Sequence, residues 1–448
     1  MIRTLSFLAT FAAAALAGAQ DLLPKAPAQD KPILLSGATV HTVSGEPIPN
    51  GAVFFDEGVI RAVFTADEAD RWRRTSNRPV DLELIDASGL HIYPGMIGAN
   101  TVTGLMEIGA VDVTIDVNEQ GAITPEARAI AAVNPDSTLI PVTRAAGVLT
   151  TGVMPSGGIV PGRAAVVRMD GWTWEDMAVE PDAGLIVAWP SSLPSTAWWV
   201  TTSVEEQKKT ARKNRQRVLD LFDAASAYIA AKAADDTVPT DLRYEAMRPA
   251  LAGEKPVFVR AQELGQIMDA VSACAERGMR VVIVGGRDAP LCADHLLAND
   301  VAVIVTGTHR EPRRGDSPYD EAFTLPARLQ AAGIRWCLAT SGGTFQTPHE
   351  RTLPHHAATA VAYGLDHDAG LRSITLSAAE LLGVDDRLGS IEPGKHATLI
   401  VTTGDPLEIT TRVLAAYIDG RAIDLRSKHT QLYEKYREKY RQLGIISD

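Results

Sequence analysis

The sequence predicts an α/β chain in which a barrel of parallel strands wrapped in helices is flanked by a small β domain built from both ends. Three observations carry this. At 448 residues the chain is long enough for a barrel plus an appended domain, since folding units average ~150 residues. Its middle alternates short, wholly apolar β-rich runs with helical ones, and strands buried on both faces are what a parallel sheet covered by helices requires. Its two flanks share another grammar, short strands set off by Gly, Pro and Asn.

Arg3 precedes the apolar run Leu5 to Leu16, and Ala17-Gly18-Ala19 supplies the small residues a signal peptidase reads. About a dozen residues cannot cross a ~30 Å hydrocarbon core as a helix. Residues 1–19 are therefore expected to be a cleaved signal, and the mature protein to be exported, periplasmic or secreted. Residues 20–31, rich in Pro and Ala, read as a tether. Residues 32–92 carry strands at Ile33 to Thr42, Gly51 to Phe55 and Gly58 to Val63, the first part of the composite β domain.

Residues 93–383 read as the barrel, with apolar runs at Val148 to Met154, Ala164 to Met169, Leu185 to Ala188, Pro256 to Val259, Arg280 to Val284, Val301 to Thr306 and Ile334 to Thr340. Among them, Val204 to Ala234 spaces Val218, Phe222, Ala225 and Ile229 at helical intervals behind a basic run, Lys208 to Arg217, that reads as a solvated face. Residues 384–426 return to β grammar, with strands at Ala397 to Thr402 and Val413 to Ile418 and a hairpin signal at Asp419-Gly420. Residues 427–448 form a C-terminal helix whose stripe of Leu432, Tyr436, Tyr440 and Leu443 predicts docking against the body.

Composition narrows the function classes. With 46% apolar and 22% charged residues the chain is an ordinary globular one, neither disordered nor fibrous. The net charge of −12 repels phosphate backbones, so nucleic acid and anionic membrane are excluded as partners. Cys274, Cys292 and Cys337 stand singly in apolar stretches and read as small core residues.

Pro94-Gly95-Met96-Ile97-Gly98-Ala99-Asn100 follows the first β unit, and Leu388-Gly389-Ser390-Ile391-Glu392-Pro393-Gly394-Lys395-His396-Ala397 opens the second. Together with Gly171 to Met177, Lys255 to Ala261 and Thr375 to Leu382, these segments resemble the amidohydrolase superfamily, in particular exported relatives of imidazolonepropionase. The resemblance implies a TIM-like (β/α) barrel with a composite β-sandwich domain. It also implies hydrolysis of carbon–nitrogen bonds by one or two divalent metals, zinc or another, that activate water and polarise a carbonyl.

The positions implied for metal ligands hold other residues. The histidine-x-histidine of strand one falls on Asn100 and Val102, and the aspartate before it on Gly98. The strand-five histidine falls on Arg260 and the strand-eight aspartate on Gly342, while Val284 to Arg287 offers no histidine for strand six. Valine has no lone pair, an amide is a weak ligand, and a guanidinium is an acceptor-free cation. The expectation is that no metal cofactor is held. Arg260 instead brings positive charge to the mouth, favouring a carboxylate or phosphate-like ligand, unless an internal acid such as Glu107, Glu263 or Asp288 faces it.

No catalytic residue is assigned. The ligand-pocket candidates are Asn100, Arg260, His309 at the end of the run Val301 to Gly307, Ser341 in Ser341-Gly342-Gly343-Thr344, and His349. His349, His355 and His356 read as helix-start hydrogen bonding rather than as a metal cluster. Trp172, Trp174, Trp189, Trp198 and Trp199 read mainly as core. The function expected is that of a family member that has lost metal-dependent hydrolysis and binds a small anionic ligand or a partner. Two alternatives stand beside it: an active hydrolase of non-peptide or dipeptide-like carbon–nitrogen bonds, and a non-catalytic subunit stabilising an active paralogue in a homo- or hetero-oligomer.

Overall fold

The computed structural model describes residues 23–75, 78–191, 193–195 and 197–447, so the expected signal lies outside the described residues. The first sheet contains β1 (Ile33–Val40), β2 (Ile48–Asp56), β3 (Val59–Phe64), β4 (Glu83–Asp86) and β5 (His91–Pro94) from the front of the chain. The second is made of β6 (Met96–Thr101), β7 (Val148–Val153), β8 (Gly162–Arg168), β9 (Ala178–Ala188), β10 (Val257–Ala261), β11 (Val281–Gly285), β12 (Ala302–Thr306) and β13 (Trp336–Ala339). The chain then returns to the first sheet with β14 (Leu399–Thr402), β15 (Val413–Ile418) and β16 (Arg421–Ala422).

The first sheet runs β16-β15-β14-β5-β1-β2-β3, with β4 beside β1. Both flanks of the sequence thus share one sheet, joined where β5 pairs antiparallel with β14 and Ile92 faces Val401. The sheet rolls over until β3 reaches the segment before β14: Ile60 N–H donates to Lys395 O and Ala397 N–H to Gly58 O, each at 2.8 Å. Gly394 sits at φ +94° inside this turn, a conformation open to glycine. Leu35, Val53, Phe55, Ile60, Leu399 and Val401 fill the roll.

The second sheet follows chain order from β6 to β13 and nearly closes at the seam between those two. Phe258, Val284, Ile304 and Ala339 face inward and share a core with Ala378, Leu382, Val384 and Leu388, which close one end. Val257, Val259, Ile283 and Val303 face outward and pack on Phe222, Ile267, Val271 and Leu325 of the surrounding helices. The long helix Val204–Ala234 buries Val218, Phe222 and Ala225. From its basic run, Arg215 leaves solvent to grip Asp269 with two nitrogens at 2.7 Å. The three cysteines are buried, and burial pushes the Cys274 thiol up to about 12 and Cys292 to about 11. Among the described residues no helix is long and apolar enough to cross a membrane.

Four expectations need correction. The run Ala164 to Met169 is not a parallel strand: β8 runs antiparallel to both β7 and β9. Only residues 154–161 join β7 to β8, turning on Gly157 and Gly158 at φ +90° and +68°, whereas a parallel crossover needs about a dozen residues. The described part of the expected tether lies against the body, with Lys25 Nζ donating to Pro135 O at 2.9 Å and Gln29 Oε1 accepting Gly58 N–H at 2.9 Å. The C-terminal helix Lys428–Gln442 has its apolar stripe but buries none of it, touching the body at its first turn, where Lys428 reaches Thr138. Trp172, Trp198 and Trp199 are exposed, leaving Trp189 as the fully buried one of the five.

At the closed end of the barrel two arginines share one acid. Arg144 lies 3.1 Å and Arg421 2.8 Å from the Asp170 carboxylate. Arg144 and Asp170 are each 1% exposed at the side chain, so this is a core ion pair that ties the barrel to β16.

Candidate functional site at the barrel mouth

Alternation along β10 turns Val257 and Val259 outward and Phe258 inward, so Arg260 also faces the lumen. It stands at the C-terminal end of the strand, the face at which barrels of this kind bind ligands. One guanidinium nitrogen donates to Met154 O at 3.2 Å. Among the described residues no carboxylate pairs with it, and each acid considered as a partner is engaged elsewhere. Glu107 accepts from Asn134 and the Thr138 amide at 3.2 Å, Glu263 accepts the Ser191 hydroxyl at 2.5 Å, and Asp288 is held by Arg314. Burial alone lowers the Arg260 pKa, to about 10, which still leaves it charged near neutrality. Half-buried at the mouth, the guanidinium keeps donors beyond the Met154 contact that an anion can meet.

Strand β6 presents a different chemistry. Asn100 is buried and donates to Thr340 O at 3.3 Å. A Cβ at Gly342, which adopts φ +69°, would overlap the Asn100 amide, and a Cβ at Gly98 would overlap the Glu350 carboxylate. The room that two acids of the family pattern need is therefore filled by Asn100 and Glu350. Glu350 is fully buried, accepts the Thr340 hydroxyl through one oxygen and has no partner at the other. Burial pushes its pKa up to about 7. Sequence reasoning missed this residue: set between His349 and Arg351, it carries the local signal of a solvated turn.

The remaining candidates stand at the same end of the barrel but apart. Ser341 and His349 are exposed. His309 is exposed, stacks on His356 at 4.0 Å between ring centres, and bonds Thr359 through Nε2 at 2.8 Å. His356 Nδ1 accepts the backbone N–H of Thr308 at 3.1 Å and of His309 at 3.3 Å. It pins the loop after β12 rather than capping its own helix, which corrects that expectation. Burial and neighbouring histidines depress its pKa to about 3, so the ring is neutral. Among the described residues no hydrogen bond, ion pair or ring contact joins Asn100, Arg260, His309, Ser341 and His349 to one another.

This donor set does not fit a divalent metal. The aligned positions offer an amide already bonded to Thr340, an apolar Val102, a cation at Arg260 and no side chain at Gly342. Among the described residues no three His, Cys, Asp or Glu side chains converge on a common point.

Residues 254–423 match the model of the Amidohydrolase family. The chain is 25% identical over 450 residues to amidohydrolase tasK of Hapsidospora irregularis, an alignment covering 88% of this chain and 43% of that protein. Imidazolonepropionase of Brucella suis is 27% identical over 165 residues, 37% of this chain and 39% of the relative. The chain thus spans about two fifths of the length of these curated relatives. An amidohydrolase from Thermotoga maritima has the same architecture, with a TM-score of 0.75 at 25% identity over 88% of this chain and 100% of that one. Fold and matched motifs define a barrel hydrolase architecture with a composite β domain. Residues 254–423 thus carry the match to the Amidohydrolase family, and the chain is similar to amidohydrolases over most of its length.

Proposed function

We propose that this chain is a member of the amidohydrolase superfamily that has lost metal-dependent hydrolysis and holds a small carboxylate-bearing ligand on Arg260 in the barrel mouth. The observation that carries the reading is a lumen-facing, half-buried guanidinium with a single carbonyl contact and, among the described residues, no acid partner. Met154 O fixes one nitrogen, which leaves the other donors of the fork to take a carboxylate in a bidentate pair. Val102 and Gly342, at positions where the family pattern places ligands, support the loss of the metal chemistry.

Isothermal titration with succinate and N-acetylated amino acids tests the site. At least one is expected to bind the wild type, and Arg260→Ala to weaken that binding by about 2 to 4 kcal/mol with the fold intact. Indifference of binding to this change would sink the reading. Elemental analysis of protein purified without chelator is expected to find well below one zinc, manganese or nickel per chain. One equivalent of metal, lost together with hydrolytic activity on chelation, would instead establish the second reading, an active hydrolase of carbon–nitrogen bonds. That reading is favoured by the amidohydrolase name of one relative.

Export belongs to the same proposal and rests on Arg3, the run Leu5 to Leu16 and Ala17-Gly18-Ala19. Terminal sequencing is expected to start just after Ala19. A mature protein that begins at Met1 and stays in the cytoplasm would contradict it.

A further inference from the structure

Beside the lumen, the loops after β11 and β12 carry Arg287 and Arg310, and the neighbouring helix Glu321–Ala331 carries Arg328. Each holds a buried guanidinium nitrogen without a hydrogen-bond partner: Nη1 of Arg287, Nη2 of Arg310 and Nε of Arg328. Arg287 as a whole is 8% exposed. Among the described residues none of the three forms an ion pair. The acids close by are already engaged. Asp288 is bound by Arg314 and by the Leu264 amide at 3.0 Å, and Glu321 accepts the Arg313 amide at 3.2 Å and the Ser317 hydroxyl at 2.8 Å. Asp316 is exposed at the rim.

Arg287 and Arg328 line a pocket of about 290 Å³ together with Arg314, Ser317 and the acids Asp288, Asp316 and Glu321, and Arg310 stands behind its wall. Arg310 feels both Arg287 and Arg328, and burial with that positive charge holds its pKa down to about 10. Burial and Arg313 lower Arg287 in the same direction. Guanidinium groups crowded out of water repel one another and forgo hydration, which is unfavourable unless an anion sits among them. One carboxylate occupies one fork, leaving the other nitrogens unpaired. A tetrahedral dianion offers oxygens in several directions at once and matches a cluster of guanidiniums better.

We infer that Arg287 and Arg328, with the charge of Arg310 beside them, form a binding site for a small phosphate-type dianion, either free phosphate or a phosphate monoester, distinct from the carboxylate site at Arg260. The pocket admits a small molecule, and the net charge of −12 argues against a polyanion such as nucleic acid reaching it.

Thermal unfolding of the full chain in inorganic phosphate or glycerol phosphate, each matched in ionic strength with sodium chloride, tests the inference. Ligand binding to the folded state raises the melting temperature with concentration. At least one compound is expected to raise it by several degrees over chloride. The double change Arg287→Gln with Arg310→Gln is expected to abolish that rise, and Arg260→Ala to retain it. A readout on the wild type removes dependence on the variants: the same compound is expected to shield Arg287 and Arg328 from phenylglyoxal, scored by peptide mass mapping. Absence of any rise or shielding beyond chloride overturns the site. So does a rise that survives the double change or disappears with Arg260→Ala, the latter placing phosphate in the lumen instead.

Discussion

The two ends of the barrel handle inward-facing positive charge in opposite ways. At the closed end Arg144 and Arg421 converge on Asp170, and Arg144 adds bonds to the carbonyls of Asp424 and Met169 at 3.2 and 3.3 Å. At the mouth Arg260 has one carbonyl and no acid. The first arrangement is complete within the chain and acts as a structural joint. The second has no such closure among the described residues, and the proposed ligand site rests on that difference.

The comparison fails or sharpens at specific residues. The largest effect is expected from Asp170→Asn, which strands two cations in the core. Urea unfolding should show a loss of about 3 to 5 kcal/mol, and a loss comparable to that of an ordinary surface change would show that the joint is not structural. Arg260→Ala should leave the unfolding free energy nearly unchanged, because no internal ion pair is broken, while carboxylate binding is lost. A destabilised Arg260→Ala protein would place that residue with Arg144 among the structural arginines.

A buried acid offers the converse case. Glu350 has its pKa raised from 4.5 to about 7, so its stabilising contribution is full below 4.5 and is lost as pH rises through about 7. Glu350→Gln should therefore flatten the stability profile across that window. At alkaline pH it should make the variant more stable than wild type by a few kcal/mol, because each tenfold change in proton affinity is worth about 1.4 kcal/mol. Parallel profiles for the two proteins would show that Glu350 stays ionised. Arg260→His restores one ligand type of the family pattern, yet with Asn100, Val102 and Gly342 unchanged it should yield no metal-dependent hydrolysis. Measured turnover with added zinc would disprove that. The smallest effect is expected on deleting residues 428–448, since the described part of that helix buries no side chain. Surface changes of this kind stay within about 0.5 kcal/mol, and a larger loss would reveal a docked tail.

The fold is legible in the sequence wherever burial is continuous along the chain. Apolar runs such as Val281–Gly285 and Ala302–Thr306 are strands because both of their faces are covered. Composition carries no sign of strand direction, so β8 reads as parallel from its residues; the shortness of its connection to β7 is the signal that could have corrected this. Arg260 stands out because a charge inside an apolar strand contradicts its surroundings. Asp170 and its partners do not, since they come together from 26 and 251 residues away along the chain. Glu350 is invisible for a related reason: its burial is created by β6 and β13 folding over a segment whose own neighbours are polar.

The reversal of β8 also limits how this mouth can vary. In an all-parallel barrel every strand delivers an independent loop to the ligand face, and each can lengthen without disturbing the rest. Here β7 and β8 meet that face as one tight hairpin, and its first residue is Met154, whose carbonyl steadies Arg260. The backbone beside Arg260 is thus held by the ladder hydrogen bonds of both strands. Insertions there would shift the guanidinium as well as that backbone, so diversity in what the mouth admits has to arise on the opposite side, among the loops that follow β11, β12 and β13.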